Sequence, residues 1–302
     1  MERIPMARPS WDEEMRVAAI TTLDSKQWVK GAQSKAFGKA FAEHCGARSA
    51  TPCQNGSSAL WAALRIAGIG PGDEVIVPSF TFISSTTCVL LVGAKPVFVD
   101  IESDYFCIDL EQVRQALTPK TKAVIGVHLF GQPYCSELVT FCQEHDLVLI
   151  EDAAQAHGAK QLFPDGTMRS AGAMGDIGCF SFFPSKNMAV GGEGGMLTTT
   201  QSKYEDKIFG ITDHGRSPDL EAIQLGSNLR MSEVSASIGL VQLSNLDTWV
   251  ELRRQKAELY TQALVGHKTL NAPAIRPNTQ HAWHQYCVQT SNPDSLVAHF
   301  DS

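Results

Sequence analysis

The sequence has no C-x-x-C pair, no cluster of lysine and arginine, and no apolar run of the roughly 18–20 residues that a membrane-spanning helix needs. Each absence removes a class of function. Without paired cysteines a zinc site is not expected, and no metal is assigned. The eight cysteines (Cys45, Cys53, Cys88, Cys107, Cys135, Cys142, Cys179 and Cys287) stand singly in apolar or helical contexts, as reduced core residues do. A formal net charge of -7 and a pI near 5.7 argue against nucleic acid as a partner. With neither a signal-peptide core in "MERIPMARPSWDEEM" nor a membrane segment, the chain is expected to be cytoplasmic and to have no membrane partner. Low-complexity linkers and internal repeats are also missing.

What remains is a 302-residue chain with 43% hydrophobic and 19% charged residues, long enough for a large core or two domains. Residues 55–200 alternate helical and extended patterns, the rhythm of an α/β fold with a mostly parallel sheet flanked by helices. "SSALWAALRIAGI" (57–69) has helical spacing, and "GPGDEVIVPS" then turns sharply into an extended run. "AKPVFVDI" (94–101), "KAVIGVHLF" (122–130) and "LVLIEDAA" (147–154) read as buried parallel strands, with helices at "DLEQVRQAL" and "SELVTFCQEHD" between them. A helical pattern covers 230–264, and "HAWHQYCVQT" reads as one further strand. These patterns divide the chain into a large domain, 1–245, and the start of a small, incomplete C-terminal α+β domain, 246–302.

Three features carry chemistry. The strand 147–154 ends in Glu151 and Asp152, where parallel strands present side chains to a ligand crevice. Small residues in "NGSSAL" open a helix whose free N–H groups suit a phosphate. In "SFFPSKNMAVGGEGGM" a single lysine, Lys186, stands between an aromatic run and four glycines. Each has an ordinary alternative: a helix cap for the acid, a hairpin turn for "GGEGG", a solvated surface position for the lysine. Together they match what pyridoxal phosphate (PLP) requires. A lysine amine forms a Schiff base with its aldehyde, an acid keeps the pyridine nitrogen protonated, and a helix start holds the phosphate.

"NGSSALWAALRIAGIGPGDEVIVPSFTF", "AKPVFVDI", "IEDAAQAHGA", "GDIGCFSFFPSKNMAVGGEGGML" and "GSNLRMSEVSASIGL" resemble, in order, the signature blocks of the DegT/DnrJ/EryC1/StrS sugar aminotransferases, which have the fold type I of PLP enzymes. The resemblance implies that Lys186 anchors the cofactor and then moves the proton. It implies that Asp152 pairs with the pyridine nitrogen and that Gln155 lies near the cofactor's phenolic oxygen or ring. Ser57 and Ser58, where the family often has Thr-Ala, would hold the phosphate together with Ser181. Phe82 would stack on the ring, although Phe80 and Phe82 also read as strand aromatics. Asn228 would reach the phosphate of a partner subunit, which implies a homodimer with shared active sites.

The implied activity moves an amino group from an amino acid, glutamate most often in this family, to a nucleotide-linked keto sugar in amino-sugar biosynthesis. Two alternatives stay open: a sugar dehydratase using pyridoxamine phosphate, whose relatives replace the lysine by histidine, and a non-catalytic PLP-binding regulatory or scaffold protein. His157 and His214 read as satisfied structural histidines, whereas His281 and His284 are placed to approach a substrate.

Overall fold

The computed structural model describes residues 5, 7–217 and 219–301, the last without its side chain. The outer ends of both expected domain ranges, residues 1–4 and Ser302, therefore lie outside the described residues. The helices are α1 (Glu13–Asp24), α2 (Ala32–Cys45), α3 (Gly56–Ile66), α4 (Ser84–Leu91), α5 (Leu110–Ala116), α6 (Glu137–Glu144), α7 (Ser202–Thr212), α8 (Glu233–Ala263) and α9 (Pro293–Asp301). The strands are β1 (Ser49–Cys53), β2 (Glu74–Pro78), β3 (Lys95–Val99), β4 (Thr121–Val127), β5 (Val148–Asp152), β6 (Lys160–Leu162), β7 (Met168–Ser170), β8 (Ile177–Ser181), β9 (Gly195–Thr199), β10 (Leu270–Asn271), β11 (Thr279–Gln280) and β12 (Gln289–Thr290). The helix expected at 57–69 is α3, and the four extended runs are β2, β3, β4 and β5.

Seven strands form the central sheet in the order β1-β9-β8-β5-β4-β2-β3. Neighbours pair in parallel except at β9, which runs against both β8 and β1. Because side chains alternate along a strand, β2, β4 and β5 each feed two separate cores. Val75, Val77, Ala123, Ile125 and Ile150 pack with α3 on one face, whereas Ile76, Val124 and Leu149 pack with Leu138 and Phe141 of α6 on the other. A third core joins Phe37 and Phe41 of α2 to Phe180, Phe182 and the α8 side chains Leu243, Leu246 and Val250. Its phenylalanine rings meet at centroid distances of 4.8–6.0 Å. Seven of the cysteines are buried in this scaffold, and burial pushes the thiols of Cys45, Cys53, Cys88, Cys107 and Cys142 up to about 12. Such thiols stay protonated and unreactive.

The 31-residue α8 starts at Ser232, whose hydroxyl caps the amide of Ser235 at 3.0 Å, and runs unbroken through residue 245. Beyond it β10 pairs with β12, while β11 returns to pair with β6 of the preceding fold. The expected strand "HAWHQYCVQT" does not form. Trp283 lies in the left-handed region at φ 48°, and only Gln289 and Thr290 are extended, in β12. A backbone in that region cannot continue a strand. His281–Gln285 instead makes a bend docked on residues 130–131, where the amides of Ala282 and His284 donate to the carbonyls of Gly131 and Phe130, both at 2.9 Å.

Candidate active site

The alternation that builds the two cores also separates the carboxylates at the end of β5. Asp152 shares a face with Ile150, on the side of α3 and α4, whereas Glu151 shares the opposite face with Leu149. Glu151 is spent on structure. Its oxygens accept the amides of Gly172, Met174 and Gly175 at 2.7–2.8 Å and meet His128 Nε2 at 2.8 Å, fully out of water. Asp152 is 6% exposed; one oxygen accepts from the Ser85 hydroxyl at 2.7 Å and the other from the Ala154 amide at 3.2 Å. These bonds fix the carboxylate at the edge of a cavity of about 560 Å³.

That cavity also brings together Ser57, Phe82, Gln155, Ser181 and Lys186. Lys186 comes from the loop between β8 and β9, where its amide donates to the Phe183 carbonyl at 2.8 Å and closes a turn. Burial draws its ammonium below the ordinary lysine value, and the Asp152 carboxylate pulls partly the other way. The amine is thereby biased toward the neutral, nucleophilic form. Gln155 is oriented by the Phe130 amide, which donates to its Oε1 at 2.6 Å.

The opposite end of the cavity is the start of α3. Asn55 caps the helix, its side-chain oxygen accepting from the Ser58 amide at 2.8 Å, and the Ser58 hydroxyl accepts from Gln54 at 2.9 Å. Ser58 is therefore engaged in the cap and does not line the cavity, unlike Gly56 and Ser57 ahead of it. The first amides of a helix have no intrahelical acceptor and carry its positive end. Ser57 and Ser84 exchange a hydroxyl bond at 2.7 Å, so hydroxyls from α3, α4 and β8 (Ser57, Ser84, Ser181) ring this end. Ser84, Ser85, Thr81 and Glu193 border or support the site without having been singled out by the sequence; the signal for the first two was a Ser-Ser pair opening a helix just after "SFTF".

Glycines permit the tight assembly. A Cβ on Gly56 would stand 2.8 Å from the Ser181 Cβ, and one on Gly195 would stand 2.5 Å from the Asn55 carbonyl. Of the "GGEGG" cluster, Gly191 takes a positive φ of 78°. The close approach made by Gly195 is to the backbone before α3 rather than to open cavity. Phe82 lies at the mouth with 68% of its surface exposed. Asn228 is exposed on an isolated bridge with Asp213 and does not line this cavity.

Two buried histidines, His157 and His281, and the half-buried His284 are also removed from water. Burial lowers His157, His281 and His284 to about 3, and the Lys186 charge adds to the effect at His157 and His284. His157, expected to be satisfied, lies against Phe180 and Phe182 and has no hydrogen bond of normal geometry at its ring nitrogens among the described residues. His281 Nδ1 accepts the Trp283 amide at 2.8 Å, which requires that nitrogen to be deprotonated. Between pH 6.5 and about 3 the folded chain thus binds fewer protons than the unfolded chain, so stability is full above pH 6.5 and falls as pH drops below it. Each such histidine costs up to about 1.4 kcal/mol per pH unit in that window. Tm measured by circular dichroism should fall steeply from pH 7 to pH 5, and His157→Leu should flatten the fall. A Tm independent of pH across that range would contradict this account.

A lysine amine, a carboxylate and a hydroxyl-ringed helix start within one cavity fit a phosphorylated pyridine aldehyde, with a partner present for each of its polar ends. Comparison with known proteins agrees. The family model of the DegT/DnrJ/EryC1/StrS aminotransferases matches residues 9–302. The UDP-N-acetyl-3-dehydro-alpha-D-glucosamine 3-aminotransferase of Acidithiobacillus ferrooxidans is 40% identical over 275 residues, covering 91% of this chain and 73% of that one. A pleiotropic regulatory protein of Geobacillus stearothermophilus is 38% identical over 294 residues, covering 95% and 77%. Among solved structures, S. venezuelae DesV in complex with a ketimine intermediate superposes with a TM-score of 0.91 at 36% identity, covering 95% of this chain and 76% of that one. The chain belongs to the DegT/DnrJ/EryC1/StrS aminotransferase family.

Proposed function

We propose that this chain is a PLP-dependent aminotransferase that moves an amino group from an amino-acid donor, glutamate in the first instance, to a keto sugar carried on a nucleotide. The observation that carries the reading is the placement of Lys186 and Asp152 in one cavity with the open start of α3. The nucleotide-linked sugar named for the A. ferrooxidans relative supports the acceptor class. When bound, PLP supplies an aldehyde that takes up the amine and a ring that holds the electrons left at the donor's α-carbon.

The chain's own residues do the rest. Lys186 Nζ, biased toward neutrality, takes the α-proton from the donor and later returns one to the acceptor carbon. Asp152, held by Ser85 and Ala154, would pair with the ring nitrogen. The amides of Gly56 and Ser57 and the hydroxyls of Ser57, Ser84 and Ser181 take the phosphate, and Gln155 and Phe82 take the ring. Asn228, exposed and away from its own cavity, is assigned to the phosphate of a second subunit in a homodimer. Residues 1–245 are assigned to cofactor binding and 246–302 to a second, smaller domain. Lys186 weighs against the dehydratase reading, and its placement with Asp152 and Gln155 in one cavity weighs against a scaffold.

The test is spectroscopic. The protein loaded with PLP should show the visible band of a lysine-bound cofactor, and glutamate should convert it to that of the amine form. A UDP-linked 3-keto sugar should restore the first band. If no amino acid changes the spectrum, the aminotransferase reading falls.

A further inference from the structure

The bend at 281–285 is bonded to two elements that line the active-site cavity. On one side Asn187, which directly follows Lys186 and is 5% exposed, donates from Nδ2 to the Ala282 carbonyl at 2.9 Å. On the other, the amides of Ala282 and His284 donate to the Gly131 and Phe130 carbonyls, and the Phe130 amide donates to Gln155 Oε1 at 2.6 Å. A series of hydrogen bonds therefore runs from the residue beside the lysine, through the bend, to Gln155.

The backbone makes this connection stiff. Phe130 at φ 58° and Trp283 at φ 48° both lie in the left-handed region, which bulky residues leave unless their surroundings hold them. Gly131, at φ 99°, has little room for a side chain: a Cβ there would stand 3.0 Å from the Trp283 nitrogen and 3.1 Å from the Gln155 carbonyl oxygen. Side chains fix the bend from behind. Trp283 donates its amide to His281 Nδ1 at 2.8 Å, and its ring stacks on that imidazole at 4.0 Å. Arg253 Nη1 donates to the Trp283 carbonyl at 3.0 Å. Gln242, about three turns earlier on the same helix, accepts the Ala189 amide of the lysine loop at 3.0 Å. Thus α8 backs the loop and the bend alike.

We propose that the bend is a positioning clamp: Asn187, Phe130 and Trp283 hold the Lys186 amine and the Gln155 side chain in register, so that loosening either attachment displaces the group at the other. The inference rests on the aminotransferase reading for the roles of Lys186 and Gln155, and adds positioning residues that act through them. Asn187 fixes the point at which the lysine side chain leaves the backbone, and a misplacement of about 1 Å at a reacting group costs roughly a hundredfold in rate. Because the bend lies within 246–302, its docking makes the geometry of the site depend on that stretch of chain.

The test perturbs one end and reads the other. Asn187→Leu keeps the volume and deletes the donor. In the whole chain without added PLP, amide exchange followed by mass spectrometry should quicken roughly threefold to tenfold at Ala282 and His284, and also at Phe130, whose acceptor is Gln155. Gly131→Ala, made at the Gln155 end, should quicken exchange of the Lys186 amide, which donates to Phe183. In titrations with PLP, Asn187→Leu combined with Gln155→Ala should lower affinity by less than the product of the two single losses. Exchange that quickens at Ala282 and His284 but not at Phe130, with losses of affinity that simply multiply, overturns the inference and leaves the aminotransferase reading intact. Should Asn187→Leu fail to fold, Gly131→Ala carries the test, and an unchanged Lys186 amide overturns it. None of these readings depends on turnover, whose absence in the wild type would count against the aminotransferase reading alone.

Discussion

Lys186→Ala should lower the rate of transamination by roughly 10⁴-fold while leaving the fold intact, because one amine both anchors the cofactor and moves the proton. The side chain is only partly buried and makes no hydrogen bond through Nζ among the described residues, so its removal strands no buried partner there. Stability should change by less than about 1 kcal/mol. PLP should still bind through the start of α3, but without the lysine-dependent visible band. Lys186→Arg separates charge from chemistry: it keeps a cation near Asp152 and should be as inactive as the alanine variant. Single-turnover absorbance after mixing with glutamate measures the effect. A rate within tenfold of wild type in either variant would remove Lys186 from the mechanism.

Asp152→Asn should follow with a loss of roughly 10²–10³-fold, since it exchanges a fixed negative charge for a neutral amide of the same shape where positive charge must be held on the ring. The neighbouring bonds make this a clean substitution. The Ser85 hydroxyl can rotate to suit an amide, and the Ala154 amide keeps its acceptor. The loss should therefore appear in kcat with little change in Tm. Ser85→Ala gives a graded control: it removes one buried hydrogen bond to the carboxylate and should reduce stability by about 1–3 kcal/mol with a smaller kinetic effect. If Asp152→Asn retained the wild-type rate, the charge at the end of β5 would have no role in the reaction.

The sheet was legible because β2, β4 and β5 are buried on both faces and read as the apolar runs "VIV", "AVIGV" and "VLI", while the edge strand β3 still shows the β-branched run "PVFV". Lys186 and Asp152 were legible for a related reason, as polar residues standing where such runs end. The misread strand at 281–290 shows the limit of pattern reading. "HAWHQYCVQT" has aromatic and β-branched content, but tertiary bonds to Phe130 and Gly131 and a left-handed Trp283 bend it instead. Ser58 shows another limit. Three small residues open α3, and only the geometry of the Asn55 cap separates those that face the cavity from the one that closes the helix. Arg253 and Gln242 had no signal at all, because α8 carries arginine and glutamine on several faces and their meaning depends on what docks against each.

The position of β1 bears on how the chain is made. This strand forms at residues 49–53, yet its sheet neighbour is β9, about 150 residues later, and it is the edge strand among the described residues. Phe37 and Phe41, on the helix just before it, likewise bury against Phe180 and Phe182. At about 5–20 residues per second, a ribosome takes roughly 10–30 s to deliver these partners after β1 has emerged. During that interval the strands β2 to β5 can assemble in order of synthesis, while Phe37 and Phe41 wait unburied. Residues 32–53 thus lock into the sheet only once β9 has been made, in the same step that closes the lysine loop between β8 and β9.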